Sequence, residues 1–303
     1  MSRATRTVTL VVNPSSGRGR ALELLPQVAG RLRDAGLTTE ILLSRHFDEA
    51  AEMTQAAASS SVDVLAVMGG DGMMHLGLNA CASARSSGNE RLTLGVIPAG
   101  TGNDFARGLG LDPGDPVAAA EVVGAGFRRH LDLARVNGRY VGAVVAAGFD
   151  ALVNQRANAM PWPRGALRYP LAALAELRVF APLSYRLTVD GTVRDLEAML
   201  VAVGNTSTYG GGMRICPDAA ADDGLLDVTI VHPVSRAKLV QLLPRMYSGS
   251  FVRDRCVEQL RAREVTVTGP GLVGFGDGEL LGAAPLTVSS EAQALSVFAV
   301  AAR

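Results

Sequence analysis

The stretch that decides the fold runs from Val64 to Gly110 and reads VLAVMGGDGMMHLGLNACASARSSGNERLTLGVIPAGTGNDFARGLG. It contains one local pattern twice: an apolar, β-branched run ends at a glycine turn, which opens a helix. The two turns are Gly69–Gly72 and Pro98–Gly102. Glycine permits positive φ and close approach of a phosphate, and the unpaired N–H groups at a helix start suit an anion. The pattern therefore predicts a phosphate-binding crevice at the carboxyl ends of parallel strands.

Asp71, inside the first of these turns, limits the kinds of reaction that this site could support. A carboxylate beside phosphates needs a cation between them, or takes part in proton transfer. The turn therefore indicates nucleotide–Mg²⁺ chemistry. A Walker-type loop requires a lysine after its glycines, and the only lysine, Lys238, follows none of these turns. The sequence thus excludes a P-loop.

Another turn of this kind, Asn13–Gly19, follows the first predicted strand, Thr7–Val12, and precedes a predicted helix, Ala21–Ala35. Alone, it is equally an ordinary strand–helix connection capped by serine. Beside two other glycine turns, it is interpreted as a third phosphate-facing turn. Strands and helices alternate up to about Gly126. This alternation predicts an α/β domain with a parallel sheet and right-handed crossovers.

After Gly126 the pattern changes to short strands separated by turns. Asn137-Gly138 and Asp190-Gly191 lie between alternating runs, which is a strong hairpin signal. This half is predicted to be an antiparallel β domain. We expect domains at residues 1–127 and 128–293, with the last strand, about 294–303, joining either of them. The predicted strands are Leu131–Val136, Tyr140–Ala146, Tyr185–Val189, Glu197–Gly204, Leu226–His232, Glu264–Thr268, Leu286–Ser289 and Ala294–Ala301.

Two helical segments interrupt the β half. Ala159–Phe180 carries the only tryptophan, and its leucine–alanine stripe fits either a helix packed on the sheet or a membrane-interface helix. Lys238–Tyr247 is a short helix expected to kink or end near Pro244.

Composition excludes several classes of protein. The 29 Lys and Arg residues balance 29 Asp and Glu residues, so nothing predicts nucleic-acid binding. The three cysteines form no C-x-x-C pair and the four histidines show no metal-ligand spacing, which favours a reducing cytosol and disfavours zinc. No apolar run approaches the roughly 18 residues of a membrane span, and the amino terminus lacks a signal-peptide pattern. We therefore expect a soluble, cytoplasmic protein.

The chain resembles the diacylglycerol kinase catalytic-domain family, and in particular the bacterial soluble lipid kinases related to sphingosine kinases. Motifs in the family's order carry this resemblance: Asn13–Gly19, Gly69–Gly72, Pro98–Arg107, Leu131-Asp132, Pro217–Asp227 and Gly274–Glu279. The resemblance implies a Rossmann-like amino-terminal nucleotide domain, similar to those of phosphofructokinases and NAD kinases. It also implies a carboxyl-terminal antiparallel β-sandwich, with the active cleft between the two.

The resemblance assigns a role to each matching position. The residues implied to hold ATP are Asn13, Pro14, Ser15, Ser16, Gly17, Ser44, Gly70, Gly72, Met73, Thr101 and Asn103. Asp71 would organise the Mg²⁺–phosphate end, and the substrate cleft would be lined by Asp104, Arg107 and Asp132. Glu279, with Asp277 nearby, would act on the substrate hydroxyl.

A structural metal is implied as well. Asp223, with the backbone carbonyls of Ala220 and Leu225, matches the family's structural metal site. A carboxylate with two carbonyls suits Mg²⁺, which would keep waters in its other positions.

The resemblance predicts ATP-dependent transfer of the γ-phosphate to a lipid hydroxyl, from diacylglycerol to phosphatidate. The acceptor could instead be sphingosine-like, phosphatidylglycerol, or a soluble molecule as in NAD kinases. A nucleotide- or lipid-binding sensor without turnover is also conceivable, because Met73 and Leu76 stand where the family usually has threonine and commonly glutamate. The intact carboxylates argue against such a sensor. We expect transient contact with lipid at the inner membrane face, and sheet edges in the β domain make a homodimer a candidate assembly.

Overall fold

The computed structural model describes residues 6–148, 156, 160–161 and 181–300. The chain divides into two compact units, Met1–Asp132 with Ala292–Arg303, and Leu133–Glu291. We call them unit 1 and unit 2. The sequence placed the boundary near residue 127 and left the last strand unassigned; the end of that strand lies in unit 1. Within the described residues, no helix is long and apolar enough to cross a membrane.

Unit 1 is an α/β unit with a parallel sheet. Its first four strands are β1 (Thr7–Val12), β2 (Thr38–Leu43), β3 (Val64–Gly69) and β4 (Thr93–Pro98). Its helices are α1 (Arg20–Asp34), α2 (Phe47–Ala58), α3 (Asp71–Ser86), α4 (Asp104–Gly108) and α5 (Pro116–Ala125). The strand order is β2-β1-β3-β4, with every neighbouring pair parallel. The last strand of the chain lies beside β4, where Val297 is opposite Leu94.

The strand order reverses direction between β1 and β3, and this reversal determines which face each helix covers. Right-handed crossovers place α1 on one face and both α2 and α3 on the other. In the structure α1 packs with α5, and α2 packs with α3. Val8, Leu10 and Val12 of β1 join the core that contains Leu32 and Val123. Because helices cover both faces, β3 and β4 are buried along their whole length.

Unit 2 is an antiparallel β-sandwich. Its strands begin with β5 (Arg128–Val136), which starts in unit 1, and continue with β6 (Arg139–Val141), β7 (Val144–Gly148), β8 (Leu183–Val189), β9 (Thr192–Ala198), β10 (Leu200–Gly204), β11 (Leu226–Val231), β12 (Val257–Ala262), β13 (Glu264–Thr268), β14 (Val273–Gly276), β15 (Glu279–Ala283) and β16 (Leu286–Phe298). One sheet has the order β12-β11-β10-β7-β14-β15. The other contains β9, β8, β13 and the first part of β16. Val145 and Val203 from the first sheet share a core with Leu187 and Val265 from the second.

A helix covers the outer face of the six-stranded sheet. Leu239 and Leu242 of α6 (Arg236–Ser248) form a core with Val144 and Leu200. The central strands β10 and β11 are therefore buried on both faces, and they are continuous apolar runs rather than alternating ones. Pro244 lies inside α6, which continues to Ser248. Of the two predicted alternatives, a kink or an end of the helix near this proline, the helix does not end at Pro244.

The predicted hairpins are confirmed, and there is a third of the same kind. Asn137-Gly138 (φ 49° and 82°) joins β5 to β6, and Asp190-Gly191 (φ 44° and 83°) joins β8 to β9. Asp277-Gly278 (φ 52° and 85°) joins β14 to β15. Positive φ at both central residues gives the backbone twist that matches a two-residue hairpin.

Several strand predictions were wrong in detail. The run 140–146 contains β6 and β7, the run 197–204 contains the end of β9 and β10, and the last two predicted strands are one strand, β16. β12, β14 and β15 were not predicted, because glutamate, glutamine and glycine break up their apolar pattern. The segment predicted as a helix at 159–180 lies outside the described residues, apart from 160 and 161.

Candidate functional site

Three glycine turns lie side by side at one edge of the unit 1 sheet; in chain order they are the first turn (Asn13–Gly19), the second turn (Gly69–Gly72) and the third turn (Pro98–Gly102). β1, β3 and β4 are neighbours, with Val12 opposite Met68 and Gly69 opposite Pro98, so the turns that follow them leave the same edge. The strand order reverses between β1 and β3. In open α/β sheets, ligands bind outside the carboxyl ends of the strands at such a reversal. The predicted crevice therefore has the topological position of a ligand site.

Backbone-to-backbone contact between these turns requires glycine. A Cβ atom on Gly100 would overlap the Cα atom of Gly70, and one on Gly17 would overlap the carbonyl oxygen of Ala99. The carbonyl of Gly69 accepts the N–H groups of Ala99 (2.7 Å) and Gly100 (3.1 Å). Any side chain at these glycines would separate the turns.

Asp71 fastens the second turn to the third. Its Oδ2 accepts the N–H of Asn103 (2.8 Å), and its Oδ1 accepts the N–H of Asp104 (2.7 Å). A Cβ atom on Gly102 would overlap the same carboxylate. We call this pair of bonds the Asp71 clamp. The sequence did not indicate this role; the predicted role at the Mg²⁺–phosphate end stays a prediction.

Asn103 closes the third turn from inside. It is 1% exposed and adopts a left-handed conformation, with φ 60°. Its Oδ1 accepts the N–H of Gly100 (3.1 Å), and its Nδ2 donates to the carbonyls of Gly100 (3.0 Å) and Pro113 (3.2 Å). This geometry indicates that the Asn103 side chain shapes the turn, and its predicted contact with ATP stays untested.

The first turn has its own internal support. Oδ1 of Asn13 accepts the N–H (3.1 Å) and the hydroxyl (2.8 Å) of Ser15. Gly17, Arg18 and Gly19 have successive positive φ angles of 62°, 63° and 92°. A non-glycine residue held at positive φ costs on the order of 1–3 kcal/mol, so the surrounding turn must hold Arg18 in place.

The other predicted ATP contacts differ in accessibility. Ser44 is buried, and its hydroxyl donates to the carbonyl of Val12 (3.1 Å). Met73 is buried against Gly69, where it fills space in the core. The predicted contacts that are at least partly accessible are Asn13, Pro14, Ser15, Ser16, Gly17, Gly70, Gly72 and Thr101.

The helix that follows the second turn begins without a side-chain cap. The N-cap of α3 is Gly70, which has no side chain to cap the helix, and the N–H of Met74 donates to the carbonyl of Gly70 (3.2 Å). By contrast, the side chains of His46, Asp115 and Ser235 cap α2, α5 and α6. Uncapped N–H groups and the helix dipole favour an anion at this position.

The residues predicted to line a substrate cleft have different surroundings. Asp104 is buried and lies 4.0 Å from the Nε atom of Arg107, whose guanidinium is partly exposed. Asp132 is also buried, and its Oδ1 accepts the N–H of Gln293 (2.8 Å). This contact indicates that Asp132 holds the last strand; its predicted place in a cleft stays untested.

Asp277 and Glu279, the two carboxylates predicted to act on the hydroxyl, have distinct roles. Asp277 accepts the N–H of Gly142 (2.9 Å) with Oδ2 and that of Ala143 (2.8 Å) with Oδ1. Glu279 is partly exposed, and no hydrogen bond or ion pair to another described residue holds its carboxylate. Of the two, Glu279 is the carboxylate available to a substrate.

The predicted structural metal site does not fit a divalent cation. Oδ1 of Asp223 accepts the N–H of Leu225 (3.0 Å), and Oδ2 pairs with the guanidinium of Arg261. Groups of three or more His, Cys, Asp or Glu residues able to hold a metal are absent from the described part of the chain. Burial raises the pKa of the adjacent Asp227, an effect that Arg261 opposes and Asp223 and Asp218 reinforce. The carboxylate of Asp223, which was predicted to bind Mg²⁺, is therefore already paired with the guanidinium of Arg261.

Comparison with known proteins identifies the family. The diacylglycerol kinase catalytic domain matches residues 7–136, and the YegS C-terminal NAD kinase beta sandwich-like domain matches residues 143–299. The diacylglycerol kinase of Mycobacterium tuberculosis (strain ATCC 25618 / H37Rv) is 40% identical over 296 residues, which cover 96% of this chain and 94% of the relative. The chain belongs to the diacylglycerol kinase family. The resemblance found in the sequence motifs is confirmed.

Further relatives agree with this family. The diacylglycerol kinase of Bacillus subtilis (strain 168) is 30% identical over 259 residues, which cover 85% of this chain and 84% of that protein. A crystal structure of a diacylglycerol kinase from Bacillus anthracis str. Sterne is similar with a TM-score of 0.79 at 24% identity and covers 99% of both chains. That similarity shows the fold, a parallel α/β unit and an antiparallel β-sandwich. Both parts of this fold had been predicted from the sequence.

Sequence reasoning missed Arg261 in this kinase. It lies on β12, which was not predicted, and opposite Asp227 of β11 in the sheet register. Only the excess of acidic residues at Asp218, Asp222 and Asp223 indicated that a cation was needed there. The residue that supplies the positive charge is distant in sequence, and spacing alone could not find it.

The close approach of Gly100 and Gly70 predicts opposite effects of alanine at two glycines. Gly100→Ala should destabilise the kinase by about 1–3 kcal/mol, because its Cβ atom forces the turns apart. Gly30→Ala is the matched control, since Gly30 lies inside α1 with open space around it. Alanine there should stabilise by about 0.5–1 kcal/mol. Urea unfolding measures both, and an unchanged Gly100→Ala midpoint would contradict the close packing.

The Asp71 clamp predicts that Asp71→Asn unfolds more easily. An amide keeps one acceptor and turns an NH₂ group toward a backbone N–H, so one bond is lost at a cost of about 1–3 kcal/mol. Asp195→Asn is the matched control, because Asp195 forms an exposed ion pair with Arg186 and contacts no other charged group among the described residues. The substitution should change stability very little. Equal stability of Asp71→Asn and the parent protein in urea would show that the clamp is not structural.

Proposed function

We propose that the protein transfers the γ-phosphate of ATP to the hydroxyl of diacylglycerol and forms phosphatidate. The observation that carries the proposal is the set of three glycine turns at the reversal of strand order in unit 1. The related proteins of Mycobacterium tuberculosis and Bacillus subtilis are diacylglycerol kinases, which supports diacylglycerol as the acceptor. Family membership supports a kinase, and the turns support a nucleotide with several phosphates.

The turns supply the groups that phosphoryl transfer requires. The reaction needs ATP to be positioned and its charge neutralised, with little covalent work by the protein. The start of α3, where the N-cap residue Gly70 has no side chain, and the accessible hydroxyl of Ser16 in the Asn13–Gly17 turn would bind phosphate oxygens. The partly exposed guanidinium of Arg107 would add a positive charge.

Two carboxylates fit the Mg²⁺ that accompanies ATP. A Cβ atom at Gly102 would lie against the Asp71 carboxylate and 3.8 Å from the Oδ2 atom of Asp104, so both face the same glycine. Carboxylate oxygens and substrate phosphates are the ligands that Mg²⁺ prefers in kinases. Asp71 and Asp104 would hold the ion, which neutralises phosphate charge when bound.

Glu279 would be the base for the lipid hydroxyl. The hydroxyl oxygen attacks the γ-phosphorus while the bond to the β–γ bridging oxygen breaks, so ADP leaves as the phosphate ester forms. The hydroxyl proton passes late in this step to Glu279, because an alcohol has a high pKa and loses it only as the new bond forms. Asp277 would instead position the β14–β15 hairpin through its bonds to Gly142 and Ala143.

The proposal implies contact with a lipid surface. Diacylglycerol has two acyl chains and resides in membranes, so the protein would bind the inner membrane face transiently to reach it. The soluble-acceptor alternative needs no such contact. The two therefore differ in whether vesicles containing diacylglycerol are phosphorylated, and a homodimer is required by neither.

Substitution of Glu279 should separate catalysis from folding. Glu279→Gln should lower kcat by roughly 10²–10⁴-fold, the usual worth of a general base, with unchanged stability because no described residue bonds to its carboxylate. Asp277→Asn is the matched control: it should lose about 1–3 kcal/mol of stability. The measurements are urea unfolding and transfer of labelled γ-phosphate, with Mg²⁺ present, to detergent-dispersed diacylglycerol, sphingosine, phosphatidylglycerol and NAD.

The outcomes distinguish the alternatives. Label on diacylglycerol supports the proposal, and label on NAD alone would move the protein to a soluble acceptor. Full activity of Glu279→Gln would remove this residue as the base. Binding of ATP without transfer to any acceptor would favour a sensor.

A further inference from the structure

A short acidic loop in unit 2 precedes β11 and needs a positive charge. It contains Asp218, Asp222 and Asp223, and Asp227 follows in the strand itself. Asp227 is 5% exposed, and no residue in the described part of the chain donates a hydrogen bond to its Oδ2 atom. A buried carboxylate is costly unless an opposite charge or a cation compensates for lost hydration.

Arg261 reaches this loop because of the sheet register. β11 and β12 are antiparallel, and Arg261 lies directly opposite Asp227. Opposed residues on neighbouring strands have Cβ atoms about 4.5–5.5 Å apart, so their side chains meet on one face. The Nε atom of Arg261 lies 3.6 Å from Oδ2 of Asp227. The orphaned carboxylate oxygen therefore faces a permanent cation.

The same guanidinium also holds the loop. Its Nη2 atom donates to Oδ2 of Asp223, while Oδ1 of Asp223 accepts the N–H of Leu225. Between these residues Gly224 has φ 75°, which closes the turn. One side chain thus joins a loop carboxylate to a strand carboxylate, a task that a divalent cation bound to Asp223 would otherwise perform.

We propose that Arg261 replaces a structural divalent cation in this protein, so that the loop 217–226 is held closed without a metal. The guanidinium keeps its charge at every physiological pH and points between the two carboxylates. A Mg²⁺ ion at Asp223 would have to displace it against like-charge repulsion. Removal of the guanidinium leaves Asp223 and Asp227 without their positive partner and leaves Asp223 near the carbonyls predicted to share a metal with it, those of Ala220 and Leu225; such oxygen ligands suit a divalent cation.

Thermal unfolding without nucleotide tests this proposal apart from the kinase reaction. The parent protein should have the same Tm in EDTA and in millimolar MgCl₂ or CaCl₂. Arg261→Met keeps much of the aliphatic side chain and removes the charge. Its Tm in EDTA should fall by roughly 4–8 °C, and the divalent cation should restore most of the loss.

The matched control is Arg186→Met. Arg186 also forms an ion pair within unit 2, with the exposed Asp195, but no buried carboxylate depends on it. Its Tm should change little and should not respond to Mg²⁺ or Ca²⁺. A metal-dependent Tm in this control would show that the response is not specific to Arg261.

Two results would overturn the proposal. One is a parent protein whose Tm falls in EDTA and recovers with Mg²⁺, because the loop would then bind a metal despite Arg261. The other is an Arg261→Met variant that shows no response to either cation. Binding of Mn²⁺ without nucleotide, followed by electron paramagnetic resonance, should be the same in the parent protein and in Asp223→Asn, and a loss of bound Mn²⁺ in Asp223→Asn would count against the proposal.

Further variants keep the test decisive if Arg261→Met does not fold. Arg261→Lys retains the positive charge and should remain insensitive to EDTA with a small loss of Tm. The double variant Asp223→Asn/Arg261→Met removes one repelling carboxylate, so it should fold and respond more weakly to Mg²⁺. A strong metal response of Arg261→Lys would contradict the proposal. The kinase assay enters none of these measurements, so failure here leaves the proposed reaction unaffected.

Discussion

The carboxylate of Asp71 bonded to two successive backbone N–H groups is the interaction on which the candidate site depends. It joins the turn after β3 to the turn after β4. Glycine-rich turns lose more conformational entropy on folding than other segments, so strong bonds are needed to hold them in one arrangement. Charge-assisted bonds to a carboxylate are stronger than neutral ones. In unit 2 the carboxylate of Asp277 accepts hydrogen bonds from two successive backbone N–H groups in the same way, those of Gly142 and Ala143.

Local chemistry explains what could be predicted from the sequence. The three turns, the parallel sheet and the Asn-Gly and Asp-Gly hairpins each depend on residues close in sequence, and they were predicted correctly. The function of Asp71 depends on Asn103 and Asp104, more than thirty residues away. A carboxylate in a phosphate-binding turn suggests metal chemistry. Its backbone bonds are visible only once the sheet brings the turns together.

The acidic loop before β11 shows the limit of transferring a site by motif. Asp223, Ala220 and Leu225 match the expected positions, yet the charge that meets Asp223 comes from Arg261, which is 38 residues away. β12 has a polar, weakly alternating sequence and was not predicted as a strand. The sequence motif identifies the acidic partner of this ion pair, whereas the basic partner is identified only by the register of the sheet.

The strand β16 constrains the order in which the chain can fold during synthesis. It starts at Leu286 and pairs first with β13, and then reaches β4 through Val297. Domains usually fold as units while the ribosome is still adding residues. Here the α/β unit stays one strand short until Val297 has been translated, long after β4 is complete. A ribosome-bound nascent chain would therefore carry an unpaired edge at β4 throughout the synthesis of the residues between β4 and the end of β16.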